Sequence, residues 1–222
     1  NGGAVTINAT SGTINVTQSI TTSPGTGGGI SLSGAVTIGA SLTAAGGTIT
    51  LNGNTAATSD LDINADLVSD QPIVLTAPRD ILVGARIKTV AVTGSAITLT
   101  ADSEGNGAGG VLIELDGQVD ADGNATITGS DGVNASFTAN AGVQIDSNGF
   151  VPSVSSLGSN TTIGDGANAP ATSTTIINGV VQAAATTGGT IDITAEDDVT
   201  FGVDGDVDVL GVDGTVMVTA DS

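Results

Sequence analysis

Short runs in which apolar and polar residues alternate occur along the whole chain, for example AVTIN at 4–8, GISLS at 29–33 and GVQID at 142–146. Gly, Asn, Asp and Ser separate these runs, and all four residue types tolerate turn geometries. Alternation with period two over such lengths predicts half-buried β-strands. No window keeps apolar residues at the i, i+3, i+4 and i+7 positions of an amphipathic helix. The pattern therefore predicts an all-β protein.

One phrase recurs in the first half of the chain, as GTITLNG at 47–53, QPIVLTA at 71–77 and SAITLTA at 95–101. Its starting positions are 24 residues apart, and two later versions, at 189–195 and 214–220, are separated by nearly the same interval. A repeat of this length is typical of solenoids, in which each unit packs on its neighbours. Each period holds three short apolar runs, which predicts a parallel β-helix with three strands and about 24 residues per coil. The runs of two successive coils are Ile49/Leu51, Leu61/Ile63 and Leu67, and then Ile73/Leu75, Ile81/Val83 and Ile87.

We expect a single β-solenoid domain over residues 1–222, with adjacent coils about 4.8 Å apart. Two segments interrupt the period. The stretch 101–110 is expected to be a loop pushed out of the wall, and 147–175 to be a lateral loop or a boundary between two solenoid segments. The chain begins at Asn1 with neither Met nor an apolar leader. This predicts that a signal segment has been removed or that the chain is a fragment of a longer one.

Composition narrows the functional classes. Hydrophobic residues make up 39% of the chain, but only three are Phe and none is Trp or Tyr, which predicts a narrow core rather than a large globular one. Cys and His are absent, so disulfides, thiol nucleophiles and the usual zinc sites are excluded. The net charge of −20 argues against nucleic acid or an anionic membrane as partner. Since no apolar run reaches the roughly 18 residues that span a bilayer, we expect a protein that is not membrane-embedded.

Four longer phrases carry a family resemblance: GGTITLNGN (46–54), SAITLTAD (95–102), DGQVDADGNATITGSDGV (116–133) and GGTIDITAEDDVTF (188–201). They resemble the repeats of filamentous-haemagglutinin-like exoproteins and autotransporter passenger domains. The resemblance covers most of the chain except about 147–175. It implies a right-handed parallel β-helix that is secreted and has a fibrous, adhesive or scaffold role at the bacterial cell surface, as part of a longer protein. Cell-surface glycans are a candidate partner, and the chain itself is acidic.

Two other functions are weighed as alternatives. A carbohydrate-active β-helix enzyme needs a basic residue or facing carboxylates, and the only cations are Arg79, Arg86 and Lys88. An ice-binding solenoid needs flat Thr-x-Thr ladders, and TIT (48–50), TLT (98–100) and TIT (126–128) are candidates. Alignment of the coils on the repeat places Pro72 and Val74 within that ladder and interrupts it. The sequence therefore favours a non-catalytic structural role, with no cofactor except calcium as a candidate.

Two acidic clusters are candidate calcium sites. Asp120, Asp122, Asn124 and Asp131 occupy positions one, three, five and twelve of an EF-hand-like loop, although Ala125 stands where the sharp turn needs Gly. In the second cluster, Asp204, Asp206 and Asp208 alternate with Val and Gly, so that the three carboxylates share one outer face of a strand. That face is expected to be either solvated or loaded with calcium.

A charge ladder follows from the 24-residue spacing. It places Ile63 beneath Ile87, Asp62 beneath Arg86 and Asn64 beneath Lys88. A longer step, which skips part of the 101–110 loop, brings Leu115, Glu114 and Asp116 above them. We therefore predict one inward apolar column flanked by the polar columns Asp62–Arg86–Glu114 and Asn64–Lys88–Asp116, with solvated, unpaired charges as the alternative.

The two ends of a solenoid raise a question of assembly. Strand edges are unpaired there, and the termini of this chain carry no cluster of Pro and Lys to prevent edge-to-edge pairing. We therefore expect self-association, or the continuation of a longer solenoid, to cover the terminal coils.

Overall fold

The structure is a computed structural model that describes residues 3–25, 27–53, 59–90, 94–105, 109–114, 117–129, 141–145, 153–156, 160–165, 171, 173–183, 189–203, 205–210 and 212–220. These residues form strands joined by turns and contain no helix, which confirms the all-β prediction. The strands are β1 (Val5–Val16), β2 (Ile20–Thr22), β3 (Ile30–Ile38), β4 (Leu42–Ala44), β5 (Ile49–Asn52), β6 (Leu61–Ile63), β7 (Leu67–Ser69), β8 (Ile73–Thr76), β9 (Ile81–Val83), β10 (Arg86–Thr89), β11 (Ile97–Thr100), β12 (Val111–Ile113), β13 (Gln118–Ala121), β14 (Ala125–Gly129), β15 (Ala141–Ile145), β16 (Ser153–Ser156), β17 (Asn160–Asp165), β18 (Thr174–Ile177), β19 (Val180–Ala183), β20 (Thr190–Thr194), β21 (Val199–Phe201), β22 (Asp206–Val209) and β23 (Thr215–Thr219).

The strands pair in parallel along three columns. The first column contains the opening halves of β1 and β3, followed by β5, β8, β11, β14, β17, β20 and β23. The second contains the closing halves of β1 and β3, followed by β6, β9, β12, β15, β18 and β21. The third contains β2, β4, β7, β10, β13, β16, β19 and β22. The chain visits the three columns in turn and then begins again, and we call one such passage a coil. This arrangement is compatible with a β-solenoid.

The core consists of apolar side chains stacked on their own equivalents. In the first column Ile49, Ile73 and Ile97 lie in register, and all three are 0% exposed. Successive strand residues point to opposite faces, so short strands such as β5, β8 and β11 contribute two inward side chains each, whereas the nine-residue β3 contributes four. Among the described residues, the buried apolar side chains of this core are all Ile, Leu, Val or Ala. Burial of one such Leu or Ile side chain contributes about 1.5–3 kcal/mol.

The 24-residue spacing holds in the first column between Ile49, Ile73 and Ile97, but the other two columns depart from it. There Ile63 pairs with Val83 and Leu67 pairs with Ile87, which are shorter steps along the chain than the repeat. The cause is unequal turn length. The turn from the first to the second column is longer in the third coil, between β5 and β6, than in the fourth, between β8 and β9. A longer turn after β10 restores the 24-residue spacing of the first column. Strand pairing therefore fixes the register of the strands, whereas the lengths of the turns vary.

Both segments expected to be irregular contain described residues. Within 101–110, Asp102 is buried, and its backbone N–H donates to the carbonyl of Arg79 at 3.2 Å, so this part of the stretch packs on the preceding coil. Residues 106–108 lie outside the described residues. Within 147–175, β16 pairs with β13 and β19, and β17 pairs with β14 and β20. The columns thus continue through this segment, of which residues 147–152, 157–159, 166–170 and 172 are not described.

Candidate functional site

All three cations of the chain lie in the fourth coil, which is built from β8, β9 and β10. Arg79 occupies the turn before β9, whereas Arg86 and Lys88 lie on β10. Ile87, between them, is fully buried in the third column, and alternation along the strand turns its two neighbours outward. The structure thus forms two separate ionic clusters on this coil.

In the first cluster, Arg86 and Lys88 share one carboxylate of the next coil. Lys88 pairs in register with Asp120, and its Nζ lies 3.1 Å from Asp120 Oδ2. The Arg86 guanidinium donates from Nη2 to the same oxygen. Burial alone would raise the pKa of Asp120, but the hydrogen bonds from Arg86 and Lys88 and their positive charges outweigh it, so this pKa lies below the usual Asp value. Asp120 is therefore held ionised as a bridge between two coils.

The second cluster places Arg79 between two carboxylates. Arg79 donates to both oxygens of Asp60, with Nε 2.6 Å from Oδ1, and the same Nε lies 3.5 Å from Asp80 Oδ2. The hydrogen bond to Asp60 is the main reason why the pKa of Arg79 is raised, against the opposing effect of burial. The side chain of Asp80 is fully buried. A charged group at this depth needs its ionic and hydrogen-bonding partners, since an uncompensated buried charge is costly.

The carboxylates of this cluster also bind the backbone of the next coil. Asp60 Oδ1 accepts from the backbone N–H of Asp80 at 3.2 Å, and Asp80 Oδ1 accepts from that of Gly110 at 3.0 Å. These two aspartates each precede a strand of the second column and form a carboxylate ladder along it. Asp66 likewise accepts from the backbone N–H of Arg86 in the next coil at 3.2 Å. Asp70 and Asp122 accept instead from the preceding coil, from Gly46 N–H at 2.7 Å and Gly94 N–H at 3.0 Å.

The predicted charge ladder is wrong in its register. Asp62 lies beside Leu82 rather than Arg86, because the second column advances here by fewer residues than the repeat. Asn64, Gly84 and Glu114 occupy equivalent positions in three successive coils, because the backbone N–H of each donates an equivalent hydrogen bond to the preceding coil. Ile63 and Ile87 therefore do not belong to one inward stack, since Ile63 pairs with Val83 and Ile87 pairs with Leu67 and Val119. Leu115 and Asp116 lie outside the described residues.

The residues of the first predicted calcium site have other partners. Asp120 bridges Arg86 and Lys88, and Asp122 accepts from the backbone of Gly94. Asn124 precedes β14, and its carbonyl accepts from Ile97 N at 2.9 Å. Asp131 lies outside the described residues. Among the residues that are described, no group of three or more acidic side chains is arranged to hold a metal ion.

The second predicted calcium site lies partly on β22. Asp206 and Asp208 alternate there with Val207 and Val209, which pair with buried Val181 and Ala183. The two carboxylates therefore share the outer face of the strand, as the alternation predicts. Asp204 is outside the described residues, so calcium at this face stays a prediction.

The predicted threonine ladder lies on the outward face of the first column. Thr50, Val74, Thr98 and Thr126 lie in register on four successive strands. Val74 thus interrupts the row of hydroxyl groups, as the sequence predicts.

A groove of about 400 Å³ runs along the first four coils beside this face. Its lining is uncharged and includes Thr6, Ser31, Thr48 and Gln71 together with several glycines. Gly46 has φ 86°, and a Cβ at that position would lie 2.0 Å from the carbonyl oxygen of Gly25. The glycines thus allow the turns of adjacent coils to approach closely.

The last coil exposes the end of the core. Val216 and Val218 on β23 stand opposite buried Ile191 and Ile193, yet each is 45% exposed. Phe201, opposite buried Ile177, is 44% exposed. At the other end of the chain Ile14 and Val16 are only 8% and 6% exposed.

Among the described residues there is no helix of the length and apolarity that a bilayer crossing requires. Comparison with protein-family models, with curated proteins and with solved structures finds no match to this chain.

Proposed function

We propose that this chain is a non-catalytic structural or adhesive segment of a bacterial extracellular fibre or surface exoprotein, built as a right-handed parallel β-helix. The observation that carries the proposal is the continuity of the first column, in which parallel register runs from β1 through β3 to β23. The 24-residue steps between Ile49, Ile73 and Ile97 support the proposed coil of about 24 residues.

Such an architecture suits a structural segment because each coil contacts chiefly its two neighbours. Adding coils lengthens the rod without requiring a new core. Eight steps of about 4.8 Å give the first column a length of about 38 Å. The first part of the chain is uncharged, since residues 1–59 carry no charged side chain, and the last part is acidic. These features favour an elongated, soluble element that presents its sides to the surroundings.

Electron microscopy of the native material tests the proposed fibre. We expect continuous thin fibres, or rods that are longer than one chain, at the bacterial surface. Isolated globular particles would contradict the proposal. A crystal structure would determine the handedness of the coil, and release of sugars from a panel of polysaccharides would contradict the non-catalytic role.

A further inference from the structure

The outward side of the first column carries a second row of polar side chains beside the row that Val74 interrupts. Each of the strands β5, β8 and β11 turns two side chains outward, because inward and outward residues alternate. The second row runs in register over β3, β5, β8, β11 and β14 and consists of Ser33, Asn52, Thr76, Thr100 and Thr128. Every one of these side chains carries a hydroxyl or an amide group. The second row is therefore polar over five successive coils.

The two rows together form a regular array, which we call the hydroxyl face. Its second row is the one just described, and its first row consists of Ser31, Thr50, Val74, Thr98 and Thr126. Neighbours within a row are about 4.8 Å apart, and the two rows are about 6.6 Å apart, which is twice the rise per residue. The pairing of these five strands keeps one register, whereas that of β1 with β3 shifts after Asn8. The array thus repeats in two dimensions over about 19 Å, which is four steps of the strand spacing.

Val74 does not disturb the shape of this array. Val and Thr are both branched at Cβ, and Val has a methyl group where Thr has its hydroxyl. Val74 therefore fills the same space between Thr50 and Thr98 that a threonine would fill. It removes one hydrogen-bonding group from the first row and leaves the spacing of that row unchanged.

The side chains of the hydroxyl face are available to a partner outside the molecule. All ten are at least partly exposed to solvent. Within the described part of the chain, they make one hydrogen bond to another residue, a contact of 3.4 Å from Thr128 Oγ1 to the carbonyl oxygen of Leu99. The backbone of these strands is already paired with the coils on both sides, so a further polypeptide strand has no edge here to which it can add. A partner must therefore use the side chains.

Charge restricts this partner. The hydroxyl face is uncharged, in a chain whose net charge is −20. In the same coils, the outer sides of the other two columns carry charges, for example Asp62 on β6 and Lys88 on β10. Ions, nucleic acids and charged glycans find no opposite charge on the hydroxyl face. The face fits instead a neutral surface that offers hydrogen-bonding groups at regular intervals in two dimensions.

We propose that the hydroxyl face binds ice. The surface of an ice crystal is a regular lattice of water molecules that both donate and accept hydrogen bonds, and the hydroxyl groups of Ser and Thr do the same. A regular array contacts many lattice positions at once, so that weak single contacts add up to lasting adsorption. Ice that is covered by the protein then stops growing at that place. The inference goes beyond the proposed structural role and does not depend on fibre formation, because the whole face lies within one chain.

Inhibition of ice recrystallisation by the whole 222-residue protein tests the proposal, with ice itself as the probe. The quantity measured is the protein concentration that halves the rate at which ice grains coarsen in a frozen sucrose solution. We expect the wild-type protein to inhibit coarsening, and Thr100→Lys to require at least tenfold more protein, because the longer side chain stands out of the face. Thr43→Lys is the matched control, since Thr43 faces outward on β4 in the third column. It should act like the wild type.

A second pair of variants tests for a gain of activity. Val74→Thr completes the first row and should lower the required concentration severalfold. Val68→Thr makes the same chemical change on the outer side of β7, between Thr43 and Lys88, and should have no effect. This pair keeps the test decisive should Thr100→Lys unfold the protein, which circular dichroism would reveal.

Three results would overturn the proposal. The first is ice growth that the folded wild-type protein leaves unchanged, and retention on crystalline cellulose would then assign the face to a neutral polysaccharide. The second is equal activity within either pair of folded variants, since inhibition would then not involve the hydroxyl face. The third is sedimentation showing a dimer that Thr100→Lys dissociates, because a second copy would then cover the face. None of these results bears on whether the native material forms fibres, so the proposed function is tested separately.

Discussion

Equivalent positions of the same column have different surroundings in the middle coils and in the last coil. Leu75 and Val218 occupy the same inward column of first-column strands, yet Leu75 is 0% exposed and Val218 is 45% exposed. The charges differ as well. In the middle, Asp80 and Asp120 each contact a cation and join adjacent coils, whereas at the end Asp206 and Asp208 line an outer face beside one another. The same column position is therefore fully buried where described coils lie on both sides, and partly exposed in the last described coil.

The largest expected effect is that of Leu75→Ala. Loss of this buried side chain leaves a cavity between two occupied coils, and we expect the free energy of unfolding to fall by about 2–5 kcal/mol. Val218→Ala is the matched control in the same column, and it should cost less than about 1 kcal/mol because the side chain is already part exposed. Urea denaturation measures both. Equal losses would show that the end of the column is covered in solution.

Asp80→Ala should have the next largest effect. It removes the acceptor for Gly110 N–H and one of the two carboxylates beside Arg79, and leaving such buried groups without partners costs about 1–3 kcal/mol. Asp62→Ala, on the same column but half-exposed, should change stability by less than about 0.5 kcal/mol. A comparable loss for both variants would mean that net charge, rather than the contacts of Asp80, sets the effect.

Comparison of these residues with the sequence shows which features the repeat could predict. The register of Ile49, Ile73 and Ile97 followed from the repeated phrase, because each copy contains a whole strand of the first column. The grouping of Leu67 with Ile87 as third strands was also confirmed. The charge ladder failed because it assumed a constant spacing in every column, and turn length is free to vary while the strands stay in register.

The carboxylate ladder escaped prediction for the same physical reason. Asp60 and Asp80 are 20 residues apart, so a search at the spacing of the repeated phrase does not bring them together. A sequence signal for this ladder was present, because each of these two aspartates stands immediately before an apolar run, which begins with Leu61 or Ile81. The partner of Arg86 was likewise missed, because Asp120 is 34 residues away, and its position depends on the lengths of the three connections between β10 and β13.

Asp120→Asn is expected to lower the free energy of unfolding by less than the two preceding variants. The dependence of this loss on pH tests the ion pairs of Asp120. The pKa of Asp120 is lowered in the folded protein, so its ion pairs stabilise the fold above the unfolded-state pKa of about 3.9, and this contribution disappears as the pH falls through the folded-state value. We expect the variant to lose about 0.5–1 kcal/mol at pH 7, as is typical for partly exposed pairs. Urea denaturation of wild type and variant at pH 7 and at pH 2 measures the difference. It should be smaller at the lower pH, and a loss that grew on acidification would contradict the assignment.

The smallest expected change in stability is a gain, and Asp206→Asn should produce it. Asp206 and Asp208 lie two residues apart on β22, so their carboxylates are about 6.6 Å apart on one face and repel each other. Since Asp206 is exposed and belongs to an acidic end of the chain, Asp206→Asn should relieve repulsion and raise the urea midpoint slightly, by less than Asp120→Asn lowers it. Amide hydrogen exchange should slow at β22 and β21, whereas the exchange of the β8 amides should be unchanged. Because surface repulsion is screened by salt, the gain should disappear in 1 M NaCl. The same chemical change, Asp to Asn, would then destabilise a coil in the middle of the chain and stabilise the last described coil. A gain that persisted in high salt would instead mean that Asp206 acts through a contact of its own.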